Sequence, residues 1–215
     1  CVVLSGNGKA FCAGIDIGVL AGGSALDLAE RTHGKANIFQ HVALGWRQLP
    51  VPVIAALHGA VFGAGLQIAL GVDIRFAAPN AELAVMETRW GIVPDMAGIA
   101  LLRGLVRDDV ARSLTYTARK VRGKEAEALG LVTLVVPNPL SDALALAHQI
   151  AATSPDAIRA AKRLFNLSAD ADTETILWAE AHEQAALLAS ANHKETIRAY
   201  MEKRDAVFID TPFSD

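Results

Sequence analysis

A chain of 215 residues with 52% hydrophobic and 20% charged side chains can bury a full core, which excludes disorder and fits one globular domain with an appended helical segment. A formal charge of −3 leaves no basic excess for neutralising phosphates, which argues against a nucleic-acid groove. Cys1 and Cys12 make neither a disulfide framework nor a zinc-type spacing, and no run reaches ~18 uninterrupted apolar residues, so neither a metal nor a membrane partner is expected. The cysteine usage fits a reducing compartment, with a cytoplasmic or organellar location. The chain opens directly on Cys1-Val2-Val3-Leu4, which reads as an N-terminal truncation with any targeting segment lost.

In chain order, Val2 to Leu4 stopped by Ser5-Gly6-Asn7-Gly8 reads as a buried strand entering a loop, Lys9 to Asp16. From Ala25 to about Leu49 the apolar spacing predicts one or two helices, ended by Pro50 and Pro52. Val53 to Leu57 is a second buried strand. His58-Gly59 and the turn Gly63-Ala64-Gly65 then lead into a short helix through Leu70. Asp73 to Ala77 and Ala81 to Val85 read as short strands. Helices are expected over Ala97 to Val106, Asp108 to Ala118 and Lys124 to Leu129, the last closed by Gly130. Leu131 to Val136 is one more strand, and everything from Leu140 onward reads as helix, punctuated at Ser154-Pro155 and at Ser168 to Thr173. Strands alternating with helices imply an α/β fold with a largely parallel sheet.

Chemistry concentrates at two strand ends. In Gly59 to Gln67, small residues sit between a strand and a helix start, where backbone N–H groups face an anionic ligand; tight strand–helix packing explains the same residues equally well. The loop Lys9 to Asp16 repeats that small-residue logic. Two such ends together form an oxyanion hole, worth ~3 to 4 kcal/mol per donor to a developing enolate.

The pair of motifs resembles the crotonase superfamily, the enoyl-CoA hydratase/isomerase family. Ile54-Ala55-Ala56-Leu57-His58-Gly59, Gly63-Ala64-Gly65, Leu70 and Asp73-Ile74 follow the family signature, from which this chain departs at Val72, where a smaller residue is usual. The resemblance implies the crotonase (ClpP/crotonase-like) fold of stacked ββα units, with residues 1–136 as the N-terminally truncated core holding the acyl-CoA site. Residues 137–215 would then be a helical C-terminal region for homotrimer or homohexamer assembly. It implies that the N–H groups of Ala13 and Ala64 bind the thioester oxygen of an acyl-CoA, with no cofactor beyond the coenzyme A of the substrate itself. Asp16 orients the first loop and, with Gln67 and Trp90, lines the substrate site.

Where hydratases resembling this chain hold a water between two Glu side chains, this sequence has Gln67 and Glu87. Gln does not titrate, although it can still orient a water by hydrogen bonding. Asp95 follows Glu87 in the spacing that resembles the Δ3,5-Δ2,4-dienoyl-CoA isomerases, as does Gly14-Ile15-Asp16. In those enzymes one acid removes a proton from C2 and the other delivers one to C6, which makes Asp95 the base and Glu87 the acid. The isomerases themselves carry Asp at the position of Gln67. The leading expectation is therefore an enoyl- or dienoyl-CoA isomerase, beside a 2-enoyl-CoA hydratase of fatty-acid β-oxidation using Glu87 and a catalytically silent acyl-CoA-binding protein. The plainer readings are an N-cap for Asp95, a surface salt bridge for Glu87 and a supported turn for His58. Glu87, after a buried strand, is expected to have its pKa raised by desolvation.

Overall fold

A computed structural model describes residues 1–18 and 27–210, so Ala25 and Leu26 of the expected helical stretch lie outside the described residues. The chain divides into two compact units, one of Val3–Gln48 with Val53–Leu144, the other of Cys1–Val2, Leu49–Pro52 and Ala145–Asp215.

The first unit is α/β. Strands β1 (Val2–Ser5), β2 (Val53–Leu57), β4 (Ile74–Ala77) and β7 (Leu134–Val135) form one sheet in the order β1-β2-β4-β7. Both β2–β4, in register Ile54↔Ile74 through Leu57↔Ala77, and β4–β7 are parallel. All five residues of β2 are buried, and its uninterrupted apolar run is what a parallel strand covered on both faces requires. A second sheet, in the order β3-β5-β6, pairs β3 (Ala60–Phe62) parallel with β5 (Glu82–Ala84), and β5 antiparallel with β6 (Val121–Arg122).

Helix α1 (Ile38–Gln48) packs on α2 (Ala64–Gly71) at closest range where Gly71 meets Ala43. A Cβ on Gly71 would overlap the Ala43 carbonyl. Asp73 ties the start of β4 to β2, accepting from the Val53 N–H at 2.7 Å and donating its own N–H to the Val53 carbonyl at 3.0 Å. The buried Arg75 donates to the carbonyls of Leu131 and Val72, and burial lowers its pKa to about 10. The rest of this unit runs through α3 (Gly98–Leu102), α4 (Asp108–Thr117) and α5 (Gly123–Ala128) into α6 (Pro139–Ala151), inside which the two units divide.

The second unit carries α7 (Pro155–Ser168), α8 (Thr173–Ala189) and α9 (Ala191–Glu202). Lys162, buried on α7, donates to the Val51 carbonyl at 2.7 Å.

Several expectations shift. Strand β3 lies between His58-Gly59 and the turn Gly63-Ala64-Gly65, and both it and β6 are strands where none was expected. The helix expected over Ala97 to Val106 shrinks to Gly98–Leu102, because Ala97 takes a left-handed conformation, φ 63°. The strand expected over Leu131 to Val136 is only Leu134–Val135: Leu131 and Thr133 meet β4 through the side chain and the N–H of Arg75 instead. The C-terminal part is not continuous helix. Ser190 is extended and caps α9, its hydroxyl accepting from the His193 N–H, and left-handed Lys203 ends α9. Residues 203–210 are non-helical and are held by Asn192, which bonds both backbone groups of Ile209.

Candidate active site

The loop after β1 is laid alongside β3 by backbone bonds. The Cys12 N–H donates to the Ala60 carbonyl at 3.1 Å, the Phe62 N–H to the Cys12 carbonyl at 3.0 Å, and the Phe11 N–H to the His58 carbonyl at 2.8 Å. His58 also reaches the Gly8 carbonyl at 3.2 Å, so it supports this loop. Past Cys12 the chain runs against the start of α2. A Cβ on Gly65 would overlap the Cys12 carbonyl, and one on Gly14, φ 102°, would stand 4.0 Å from the Ala64 nitrogen. Gly63, φ 51°, makes the turn that starts the helix. Ala13 is exposed, Ala64 half-buried, and among the described residues neither N–H has a hydrogen-bond acceptor. The structure therefore brings two small-residue backbone donors together at one helix start.

The carboxyl of Glu87 lies on the other side of Gly63, whose Cβ position is 3.3 Å from Glu87 Oε1. Glu87 opens a 3₁₀ turn, Glu87–Trp90, closed by left-handed Gly91. It is 6% exposed. Oε1 accepts from Gln67 Nε2 at 2.6 Å, while Oε2 is buried without a hydrogen-bond partner among the described residues. Burial pushes its pKa above the ordinary carboxylate value, the charge of Asp95 pushes the same way, and the hydrogen bonds it accepts from its own turn and Gln67 oppose the rise.

Gln67 is engaged at both ends. Its oxygen accepts from the N–H groups of Met96 at 2.8 Å and Gly98 at 3.0 Å, so both acceptor sites of the amide are filled by protein groups, while one of its two N–H donors is used on Glu87. Asp95 is exposed, and among the described residues its carboxylate takes no hydrogen bond or ion pair. It does not cap α3: Ala97 stands at that N-cap, with no side-chain bond. Trp90 is 49% exposed, together with Ile92 and Val93 between Glu87 and Asp95. Asp16 is exposed and closes a turn, accepting from the Gly18 N–H at 2.7 Å. Ala64, Gln67 and Glu87 are thus assembled around Gly63, Ala13 is brought in by its neighbours Cys12 and Gly14, and Asp95 is tied in through its neighbour Met96. Among the described residues, no hydrogen bond or ion pair ties Trp90 or Asp16 to the Glu87 carboxyl. Sequence reasoning missed Met96, Ala97 and Gly98; the small residue Gly98 was the available signal, since a Cβ there would lie 2.6 Å from the Gln67 oxygen.

An α/β unit with two unpaired backbone donors at a helix start and a buried acid beside them is the architecture of a thioester-handling enzyme. The family model for enoyl-CoA hydratase/isomerase matches residues 1–211. YngF of Bacillus subtilis, which carries an enoyl-CoA hydratase/isomerase name, is 35% identical over 212 residues, 97% of this chain and 80% of that protein. The mitochondrial Delta(3,5)-Delta(2,4)-dienoyl-CoA isomerase of Dictyostelium discoideum is 29% identical over 221 residues, 97% of this chain and 74% of its own. Among solved structures, an enoyl-CoA hydratase from Bacillus anthracis superposes with a TM-score of 0.88 at 32% identity, covering 96% of this chain and 80% of that one. The chain belongs to the enoyl-CoA hydratase/isomerase family. It has the crotonase fold and is an enzyme acting on acyl-CoA thioesters.

Proposed function

We propose that this enzyme is an enoyl- or dienoyl-CoA double-bond isomerase. The thioester oxygen sits between the N–H groups of Ala13 and Ala64. Asp95 removes a proton from C2, the electron pair runs through the enolate along the conjugated chain, and Glu87 delivers a proton to C6. Each turnover leaves Asp95 protonated and Glu87 ionised, and the exposure of Asp95 gives it solvent through which to reset. No cofactor is required, because coenzyme A is part of the substrate.

The observation that carries this reading is the amide of Gln67. Its oxygen is filled by the N–H groups of Met96 and Gly98 and it cannot titrate, so it has no acceptor left to take a proton from a hydrating water, while Asp95 has no structural bond among the described residues to keep it from substrate. The raised pKa of Glu87 suits an acid that must hold its proton until the enolate forms. A second reading, hydration of a 2-enoyl-CoA by Glu87, is favoured by the exposure of Asp95 and by the hydratase names of several relatives. Incubation with a 3,5-dienoyl-CoA and, separately, with crotonyl-CoA distinguishes them: isomerisation raises the conjugation-dependent ultraviolet absorbance and hydration lowers it. Turnover of crotonyl-CoA alone would sink the isomerase reading.

The helical C-terminal unit is proposed to build a homotrimer or homohexamer. Trp178, Tyr200 and Met201 are each more than two-thirds exposed, apolar surface that assembly would cover.

A further inference from the structure

We propose that Gln67 is a positioning residue: it divides the Glu87 carboxyl into one anchored and one working oxygen, and fastens the Asp95 loop to that same carboxyl. The inference deepens the isomerase reading and rests on it for the reaction, while its geometry stands independently.

A buried amide must satisfy its polar atoms, and Gln67, 3% exposed inside α2, does so with groups from two other segments. Its donor holds Glu87 Oε1 at 2.6 Å, a short contact that fixes the carboxyl plane and leaves the buried, unpartnered Oε2 as the oxygen able to exchange a proton with substrate. Its acceptor takes two N–H groups, from Met96 and Gly98, that turn to one side because Ala97 between them is left-handed, φ 63° and ψ 9°. Peptide units curled in this way form a concave nest that selects an electron-rich oxygen. The nest also decides which way round the amide lies: two N–H donors require the oxygen, so the nitrogen must face Glu87.

The amide is a rigid plane. Glu87 Oε1 therefore cannot shift without disturbing the nest, and the residue that opens the nest, Met96, directly follows Asp95. Base and acid are thereby coupled through one side chain that does not itself titrate, so the coupling persists while Glu87 gives up and regains its proton. A carboxylate at the same position would be held ionised by the nest and would press a proton onto Glu87, leaving that acid reluctant to release it.

Two variants test this, Gln67→Leu, which removes all three bonds, and Gln67→Glu, which keeps both acceptor bonds to the nest. Isotope-edited infrared difference spectra against Glu87→Gln follow the Glu87 carboxyl directly, without turnover. The titration midpoint of Glu87 is expected to rise by about one pH unit in Gln67→Leu and further in Gln67→Glu. With a 3,5-dienoyl-CoA, kcat of Gln67→Leu is expected to fall about 30-fold while KM stays within about threefold. A midpoint unmoved in both variants, or a loss confined to KM, overturns the proposal. Should Gln67→Leu fail to fold by circular dichroism, the midpoint of Gln67→Glu decides alone. Shifted midpoints in a protein that isomerises no dienoyl-CoA would uphold the positioning role and sink the isomerase reading; unshifted midpoints in an active isomerase would do the reverse.

Discussion

Helices α2 and α8 share Ala and Leu and have opposite fates. Six of the eight residues of α2 are buried, while none of α8, Thr173–Ala189, is. Both contain Ala and Leu, but the one polar side chain of α2 is Gln67, where α8 carries Glu174, Glu180 and Glu183. Glycine separates them further: Gly65 and Gly71 let the Cys12 and Ala43 backbones close directly on α2, whereas α8 has no glycine and leaves Leu177 and Trp178 uncovered. A site that needs backbone donors needs backbone close by, and α2 is the helix shaped for that.

The largest expected effect lies beside α2. Glu87→Gln should lower dienoyl-CoA turnover by about 1,000-fold in steady-state assays, since the amide has no acidic proton to deliver. Gly65→Ala comes next, with about 3 kcal/mol lost in urea unfolding because the new methyl overlaps the Cys12 carbonyl. Asp95→Asn should cost about 100-fold in kcat while leaving unfolding unchanged within about 0.5 kcal/mol, as an exposed group without a structural bond implies.

A pH effect is smaller. Because the folded-state pKa of Glu87 is raised, its ionisation disfavours the fold: the stability it contributes is complete below its ordinary value of 4.5 and is lost as pH rises through the folded value. Glu87→Gln should therefore gain stability relative to the parent at pH 7.5 compared with pH 4, measured by urea titration at both. The smallest change in stability belongs to α8. Trp178→Ser should leave unfolding of the isolated chain within about 0.5 kcal/mol, yet lower the mass seen by light scattering. An unaltered mass would remove Trp178 from the proposed assembly surface.

Legibility followed the same divide between long signals and short ones. Val53 to Leu57 announces itself as a covered strand because its apolar run is unbroken, and Gly130 closes α5 in the expected left-handed conformation, φ 84°. Strand β3 has three residues between two glycines, too few to show a period, and it exists because Cys12 and β5 pair with it. The break at Ser190 hides inside an apolar, alanine-rich stretch. At the site, the burial of Glu87 was readable from the strand before it. The occupation of Gln67 was not, because it depends on N–H groups about thirty residues away that are aimed by one backbone torsion.

That torsion has a consequence of its own. For an L-residue the left-handed region is a narrow well, entered at some cost, and glycine would reach it more easily. Ease of entry is also freedom to wander. Ala97 confines the Met96 and Gly98 amides to a smaller range of angles than glycine would, so a residue that looks like a local defect acts as a stiff spring, trading a little folding free energy for a carboxyl that stays in place.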